Sequence, residues 1–382
     1  MDDTSSDKRL TALAKSLPAT VPFVGPEAQE RARGTAFKAR LGANESVFGP
    51  SPRAVRAMEK AAREAWMYAD PEAHVLRHAL AAHHGIGPEY IYVGEGIDGI
   101  LGLLVRLTVA AGDLVVTSDG AYPTFNYHVT GFGGVLHKVP YRADCEDPAA
   151  LITAGAARKA KLIYWSNPDN PMGTWHAAGV VERTISHVPD GCLLILDEAY
   201  VDTAPEGTAP PIDAGHERVI RMRTFSKAYG LAGARVGYAI GPAKLISAFD
   251  RVRNHFGMGR ISQAGALGAL EDQAHLRDVC QKVAWSRAEL YRIARENGLK
   301  AIPSATNFVA MDCGRDGDFA RAVMGSLIAR GIFVRMPGVA PLDRCIRVSC
   351  GGEAEMAALA AALPLALQDA VTEAASGTRA AE

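Results

Sequence analysis

The sequence predicts an α/β protein, with a large domain on a mainly parallel central sheet flanked by helices and a smaller α+β domain at the C-terminal end. Three observations predict it. Short apolar runs alternate with helical patterns at "YIYVG" (90–94), "LVVTS" (114–118), "LIYWSN" (162–167), "LLILDEAY" (193–200) and "VIRMRTFSK" (219–227). That alternation makes βα units, and βα units make parallel strands. Polar residues gather where those runs end, which is where a parallel sheet collects its ligands. From about residue 276 the pattern changes to one long amphipathic helix, "DVCQKVAWSRAELYRIARENG". Strand candidates "TNFVAMDC", "GIFVRM" and "CIRVSC" follow, with a helix between the first two. A second, α+β domain is the simplest account. We therefore expect an arm over residues 1–44, a large domain over 45–255 and a small one over 256–382, ending in the loose tail "TEAASGTRAAE".

Composition narrows the partners. With 48% hydrophobic and 22% charged residues in 382, the chain can bury a sizeable core, and its formal charge of −1 provides no field for nucleic acid or an acidic membrane. An anionic ligand must be met by local arginines. Six cysteines without a CxxC pair read as reduced thiols in a cytoplasmic protein. The polar start "MDDTSSDKRL" and Arg106 inside "ILGLLVRLTVAAG" argue against a signal segment and a membrane span. His74, His78, His83 and His84 share one helix candidate, but no HExxH pattern accompanies them, so we expect no metal.

The chemistry concentrates in "TFSKAYGLAGARVGY", residues 224–238. A lysine that attacks a carbonyl must present a neutral amine, a state favoured by burial among cationic groups. Around Lys227, small neighbours let a ligand approach, and Thr224, Ser226 and Arg235 provide anion-binding groups. Asp197 and Tyr200 lie where the strand "LLILDEAY" runs out, and Asn167 and Asn170 lie in "YWSNPDNPMG", beside prolines that stiffen the turn. An aspartate at a strand end is either a helix cap or a buried charge that needs a cation.

Taken in order, "LGANESVFGPSP", "DGAYPTF", "NPDNPMG", "DEAY", "SKAYGLAGARVGY" and "CIRVSCGG" resemble the fold-type I pyridoxal-phosphate aminotransferases, and within them the group similar to histidinol-phosphate aminotransferase. The likeness runs from about residue 41 to 345 and beyond, most of the chain. It implies that Lys227 forms the Schiff base with pyridoxal 5′-phosphate, that Thr224, Ser226 and Arg235 bind the phosphate, and that Asp197 pairs with the pyridinium nitrogen. Tyr200 and Asn170 would hold the ring hydroxyl and Tyr122 would stack on the ring. Backbone amides near Gly96, Ile97 and Asp98 would cap the phosphate. Arg347 would take the substrate's carboxylate or phosphate, Arg335 would be a second anion contact, and Asn44 and Phe23 would lie on the substrate side. Tyr68 would reach the cofactor phosphate of a neighbouring subunit, implying a homodimer with shared sites. The expected substrates are an L-amino acid or related amine and a 2-oxo acid such as 2-oxoglutarate; the alternative within the same resemblance is a decarboxylase or lyase that uses the same cofactor.

One rival comes from the residues alone. "GEGIDG" (94–99) satisfies GxGxxG after a strand and before a helix, with Asp119 at the end of the next strand, as a dinucleotide site would have it. Such a site has no use for Asn170, Asp197, Tyr200, Lys227 and Arg235. The chain also departs from the family in places. "VPFVGPE" has Phe23 where a tyrosine often meets the substrate phosphate, Ala69 stands where proline is usual, and Ser46 and Val47 replace Asn-Pro. "RNHFGMGRIS" adds His255 and Arg260 near the side-chain selectivity region. From Phe23 we expect a mostly apolar side-chain pocket.

Overall fold

A computed structural model describes residues 8–18 and 23–379. Its strands in chain order are β1 (Ala39–Arg40), β2 (Ile91–Gly94), β3 (Leu114–Ser118), β4 (Val135–Val139), β5 (Leu162–Ser166), β6 (Leu193–Asp197), β7 (Val219–Thr224), β8 (Gly237–Ile240), β9 (Lys300–Ala301), β10 (Phe308–Asp312), β11 (Ile332–Phe333) and β12 (Cys345–Ser349). Seven of these form the central sheet in the order β2-β8-β7-β6-β5-β3-β4. From β4 to β7 the pairing is parallel throughout, whereas β8 runs antiparallel to both β7 and β2. The middle strands β5 and β6 are apolar through nearly their whole length and buried on both faces, as helix-covered parallel strands must be.

The strand order turns between β3 and β5. From β3 the chain steps outward to β4, then returns to β5 and proceeds the other way to β6 and β7. A crevice forms at the carboxyl end of the sheet where connections diverge in this way. The same topology disposes of the dinucleotide reading. The glycine turn after β2 follows an edge strand paired antiparallel to β8, so there is no parallel βαβ unit, and Asp119 pairs with Lys138 at 3.3 Å on the surface.

A second layer follows β8. The helix Gln273–Glu296 and the helices Gly317–Ala329 and Glu353–Arg379 pack with the three-stranded sheet β12-β10-β9 around a separate core that includes Val283, Leu290, Val309, Leu327, Val348 and Leu363. Two expectations change here. "GIFVRM" does not add a strand to that sheet: β11 pairs in parallel with β1, and only a bridge between Arg335 and Arg347 links it to β12. Residues 39–41, expected in an arm, therefore bury Ala39 and Leu41 in the C-terminal core. The other change is the tail, which is helical to Arg379. Glu353–Ala375 is long and apolar enough by length and composition to cross a membrane. Met356, Leu359, Leu363, Ala366 and Ala370 form its buried stripe at helical spacing, facing the core of the C-terminal layer.

Candidate active site

The carboxyl end of the sheet brings together residues far apart in sequence. Asp197 is the last residue of β6 and is 5% exposed. Its Oδ2 accepts a hydrogen bond from the Tyr164 hydroxyl at 2.7 Å and its Oδ1 accepts one from the Ala199 amide at 2.9 Å. Burial pushes its pKa up to about 6, against the pull of those two donors. A carboxylate held this deep requires a cation to stay charged. Tyr164 was not legible as a site residue; the signal was a single hydroxyl inside an otherwise apolar strand, where a tyrosine must find a polar partner.

Lys227 follows β7, half-buried, and its Nζ donates to the Asn44 carbonyl at 3.2 Å and lies 5.5 Å from the centre of the Tyr200 ring. Asn44 is the hub of this side of the site. Held at φ 56°, it donates from Nδ2 to the Tyr200 hydroxyl at 3.0 Å and accepts from Ser349 Oγ at Oδ1, also at 3.0 Å. Its carbonyl accepts from Asn307 Nδ2 as well, at 3.0 Å. Ser349 and Asn307, both from the C-terminal layer, were missed because each is a single polar residue in a strand or turn. Through them that layer touches the lysine's neighbourhood.

A phosphate-sized cradle lies beside Lys227. Thr224 Oγ1 donates to Ser226 Oγ at 3.0 Å and accepts from the Ser226 amide at 3.0 Å, while Arg235 Nη1 reaches Ser226 Oγ at 3.3 Å. Opposite stands the first turn of the helix Gly96–Thr108, whose amides at Gly96, Ile97 and Asp98 have no acceptor within their own helix. Gly96 has φ +75°, and a Cβ there would fall on Arg235 Nη2. Gly237 brings β8 so close that its own Cβ would lie 2.8 Å from the Ile97 amide nitrogen. Two hydroxyls, a guanidinium and a helix start thus share one small space, a donor set for an anion. Tyr122 is tied to this helix by its hydroxyl, which donates to Asp98 Oδ1 at 2.8 Å, and burial raises its pKa.

Two further arginines line the C-terminal side. Arg347 Nη1 donates to Asn170 Oδ1 at 2.6 Å and Nη2 to the Gly42 carbonyl at 3.2 Å. Arg335 is bridged to it through the backbone, its Cζ 3.8 Å from the centre of the Phe23 ring and its Nη2 donating to the Val24 carbonyl. Burial lowers the pKa of both, and the Arg347 charge helps push Arg335 down to about 10. Neither arginine is in an ion pair among the described residues, and the Nε of each is buried without a partner. Phe23, expected to line an apolar pocket, is 52% exposed and lies on a guanidinium instead. Tyr68 is not brought to this cluster within the chain: it is 76% exposed, and its ring stacks on Phe256 at 4.4 Å.

These residues fit the cofactor that the resemblance implies. The cradle at Gly96, Thr224, Ser226 and Arg235 suits its phosphate, the buried Asp197 suits a protonated ring nitrogen, and Lys227 lies on the same side as Tyr200 and Asn44. Comparison with known proteins agrees. The model of the family "Aminotransferase class I and II" matches residues 38–363. A histidinol-phosphate aminotransferase of Moorella thermoacetica is 34% identical over 335 residues, covering 87% of this chain and 86% of that protein. The crystal structure of histidinol-phosphate aminotransferase from Sinorhizobium meliloti in complex with pyridoxal-5′-phosphate superposes with a TM-score of 0.92 at 54% identity, over 94% of this chain and 98% of that one. Aspartate aminotransferase from Thermus thermophilus with maleate, 24% identical, shares the fold with a TM-score of 0.78 over 94% of this chain and 99% of that one. The chain belongs to the class I and II aminotransferases and is a pyridoxal-phosphate-dependent transaminase of fold type I.

Proposed function

We propose that the protein transfers the amino group of an amine bearing an anionic group, histidinol phosphate or an aromatic L-amino acid, to a 2-oxo acid such as 2-oxoglutarate. The observation that carries this reading is the pair Arg335 and Arg347. Two half-buried arginines on bridged backbone, each with its Nε buried and unpartnered and neither in an ion pair with a protein carboxylate among the described residues, favour an anionic substrate that brings the missing negative charge. The relatives named for histidinol phosphate support the phosphorylated amine, and Phe23 on Arg335 supports an aromatic one.

When bound, pyridoxal phosphate supplies an electron sink for the pair left behind as the substrate Cα loses its proton. Asp197 would keep the ring nitrogen protonated, and Tyr200 and Asn170 would hold the ring hydroxyl. Lys227 Nζ would take the Cα proton as general base and return it as acid. Thr224, Ser226, Arg235 and the amides of Gly96, Ile97 and Asp98 would bind the phosphate, and Tyr122 would cover the ring. In this reading the sheet with its helices acts as a large cofactor-binding domain over 45–255, and the C-terminal layer as a small domain that contributes Arg335 and Arg347. The working unit is a homodimer in which Tyr68 serves the neighbour's site.

A half-reaction screen tests the proposal. Histidinol phosphate, phenylalanine and tyrosine are each mixed with the holoenzyme, and loss of its visible absorbance is followed. At least one should discharge the cofactor. Arg347→Ala should raise KM for that amine about 30-fold, from about 2 kcal/mol per lost charged hydrogen bond, with cofactor retention unchanged. No spectral change with any of the three would overturn the substrate class.

A further inference from the structure

Where the chain departs from its family at "RNHFGMGRIS", the structure brings the departing residues against the segment that carries Tyr68. The base of this contact is a pair of helices, Pro52–Ala62 and Arg260–Leu270. Arg53 pairs with Glu271 at one end, Gly268 and Gly265 face Ala54 and Met58 further along, and Arg260 meets Glu64 at the other end. One set of numbers rises as the other falls, so the helices run antiparallel. A Cβ on Gly268 would lie 3.0 Å from the Ala54 Cα, which puts the two backbones in direct contact. Arg260 is the first residue of its helix and stands where the other helix has run out.

Past that point residues 68–70 have no regular secondary structure, so their carbonyls need donors from elsewhere. Three side chains supply them. Arg260 Nη2 donates to the Tyr68 carbonyl at 2.8 Å, Gln263 Nε2 to the Asp70 carbonyl at 2.8 Å, and Arg253 Nη1 to the Pro71 carbonyl. The far end of the segment is also tied by Asp70, whose carboxylate accepts from the Glu72 and His74 amides at 3.0 and 2.8 Å. At the near end, Arg260 is the sole hydrogen-bond partner of the Tyr68 backbone among the described residues. Phe256 stacks on the Tyr68 ring at 4.4 Å. The second contact of Arg260, to Glu64 at 3.4 Å, is half-exposed and contributes little, whereas a guanidinium on a carbonyl is a charge-assisted bond.

We infer that Arg260 is a positioning residue: its guanidinium fixes the Tyr68 backbone while Phe256 fixes the ring, so that Arg260 serves the neighbouring protomer's cofactor and not its own. The inference rests on the reading that Tyr68 reaches the neighbour's site.

Two measurements on the holoenzyme test it. Arg260→Met keeps the aliphatic stem and removes the donors. In hydrogen exchange, the amides of Met67 and Ala73, whose acceptors are the Glu64 and Asp70 carbonyls, should exchange at least about tenfold faster in this variant. Unchanged exchange overturns the inference. Glu64→Gln, which leaves Arg260 on the Tyr68 carbonyl, should match wild type; if it loosens the segment as much as Arg260→Met does, the surface ion pair is the tie and the inference falls. Cofactor retention through dialysis then separates a protomer's own site from its neighbour's. The Arg260→Met homodimer should lose pyridoxal phosphate about fivefold faster than wild type, a fraction of what a lost charged hydrogen bond would cost at the cofactor itself. A hybrid of Arg260→Met with Lys227→Ala, isolated through two different tags, has one Lys227, contributed by the Arg260→Met protomer and faced by the other protomer's intact Arg260 and Tyr68. That site should retain cofactor like wild type, read from the pyridoxyl adduct left by borohydride. A parallel hybrid of Tyr68→Ala with Lys227→Ala tests the reading beneath the inference. Rescue of the Tyr68 hybrid without rescue of the Arg260 hybrid overturns the inference alone. Rescue of neither removes the neighbour role of Tyr68 and, with it, that of Arg260.

Discussion

Asp197 shows how a single side chain can oppose the fold that holds it. Its pKa is about 6 in the folded protein and 3.8 ordinarily, so between those values the native state binds more protons than the unfolded chain. Stability therefore falls as pH rises from about 4 to about 6 and stays lowered above that. Replacing Asp197 with asparagine, which never ionises, should stabilise the cofactor-free protein by about 3 kcal/mol at pH 8 and by nothing below about pH 3. Melting temperatures of the two apoproteins across that range check the sign, and a gain confined to acid pH would contradict it. The same variant should lose transaminase activity, since stability and function pull this residue in opposite directions. Lys227 is the opposite case. Its Nζ makes one hydrogen bond, to an Asn44 carbonyl that also accepts from Asn307, so Lys227→Ala should leave the melt within about 1 kcal/mol of wild type. It should abolish turnover and the pyridoxyl adduct that borohydride leaves on the native chain; a variant that still traps the adduct would remove Lys227 from its proposed role.

At the scale of elements, the helix Gly96–Thr108 depends on what its first residue lacks. Gly96→Ala places a methyl group at φ +75° and onto Arg235 Nη2, so it both strains the turn and displaces the guanidinium from the cradle. We expect about 1 kcal/mol of lost stability and at least about tenfold weaker cofactor retention, read from dialysis followed by absorbance. Unchanged retention would mean that this helix start does not meet the phosphate. The elements legible in the sequence were those with a short apolar run, β2, β3, β5, β6, β7, β10, β11 and β12, and the long helix Gln273–Glu296. The strands that escaped share a physical reason. β4, "VLHKV", is an edge strand with Val135 and Lys138 exposed, and β8, "GYAI", is four residues long and begins with the glycine that lets the helix start approach. β1 is two residues long, and only the packed molecule pairs it with β11.

For the molecule as a whole, the site draws on Asn44, Asn170, Asp197, Lys227 and Arg347, which no local pattern connects; their grouping was legible through the order of motifs that the family resemblance supplied. The contacts that stayed hidden, Tyr164 with Asp197 and Arg335 with Phe23, join segments whose sequences carry no motif for each other. What the chain leaves uncovered is equally informative. Trp66 is 82% exposed and Tyr68 76%, beside a half-exposed Phe256 on which Tyr68 stacks, an aromatic surface that a second copy would bury. If Tyr68 completes the neighbour's site, Tyr68→Ala and Lys227→Ala each disable a homodimer, but by different halves of the same site. In a hybrid of the two, the Tyr68→Ala protomer contributes its lysine and the Lys227→Ala protomer its tyrosine, which restores one complete site of two. Random exchange of an equimolar mixture should thus regain about a quarter of wild-type activity from two inactive parents. Sedimentation of the mixture as a dimer without any recovery would show that each protomer builds its site alone.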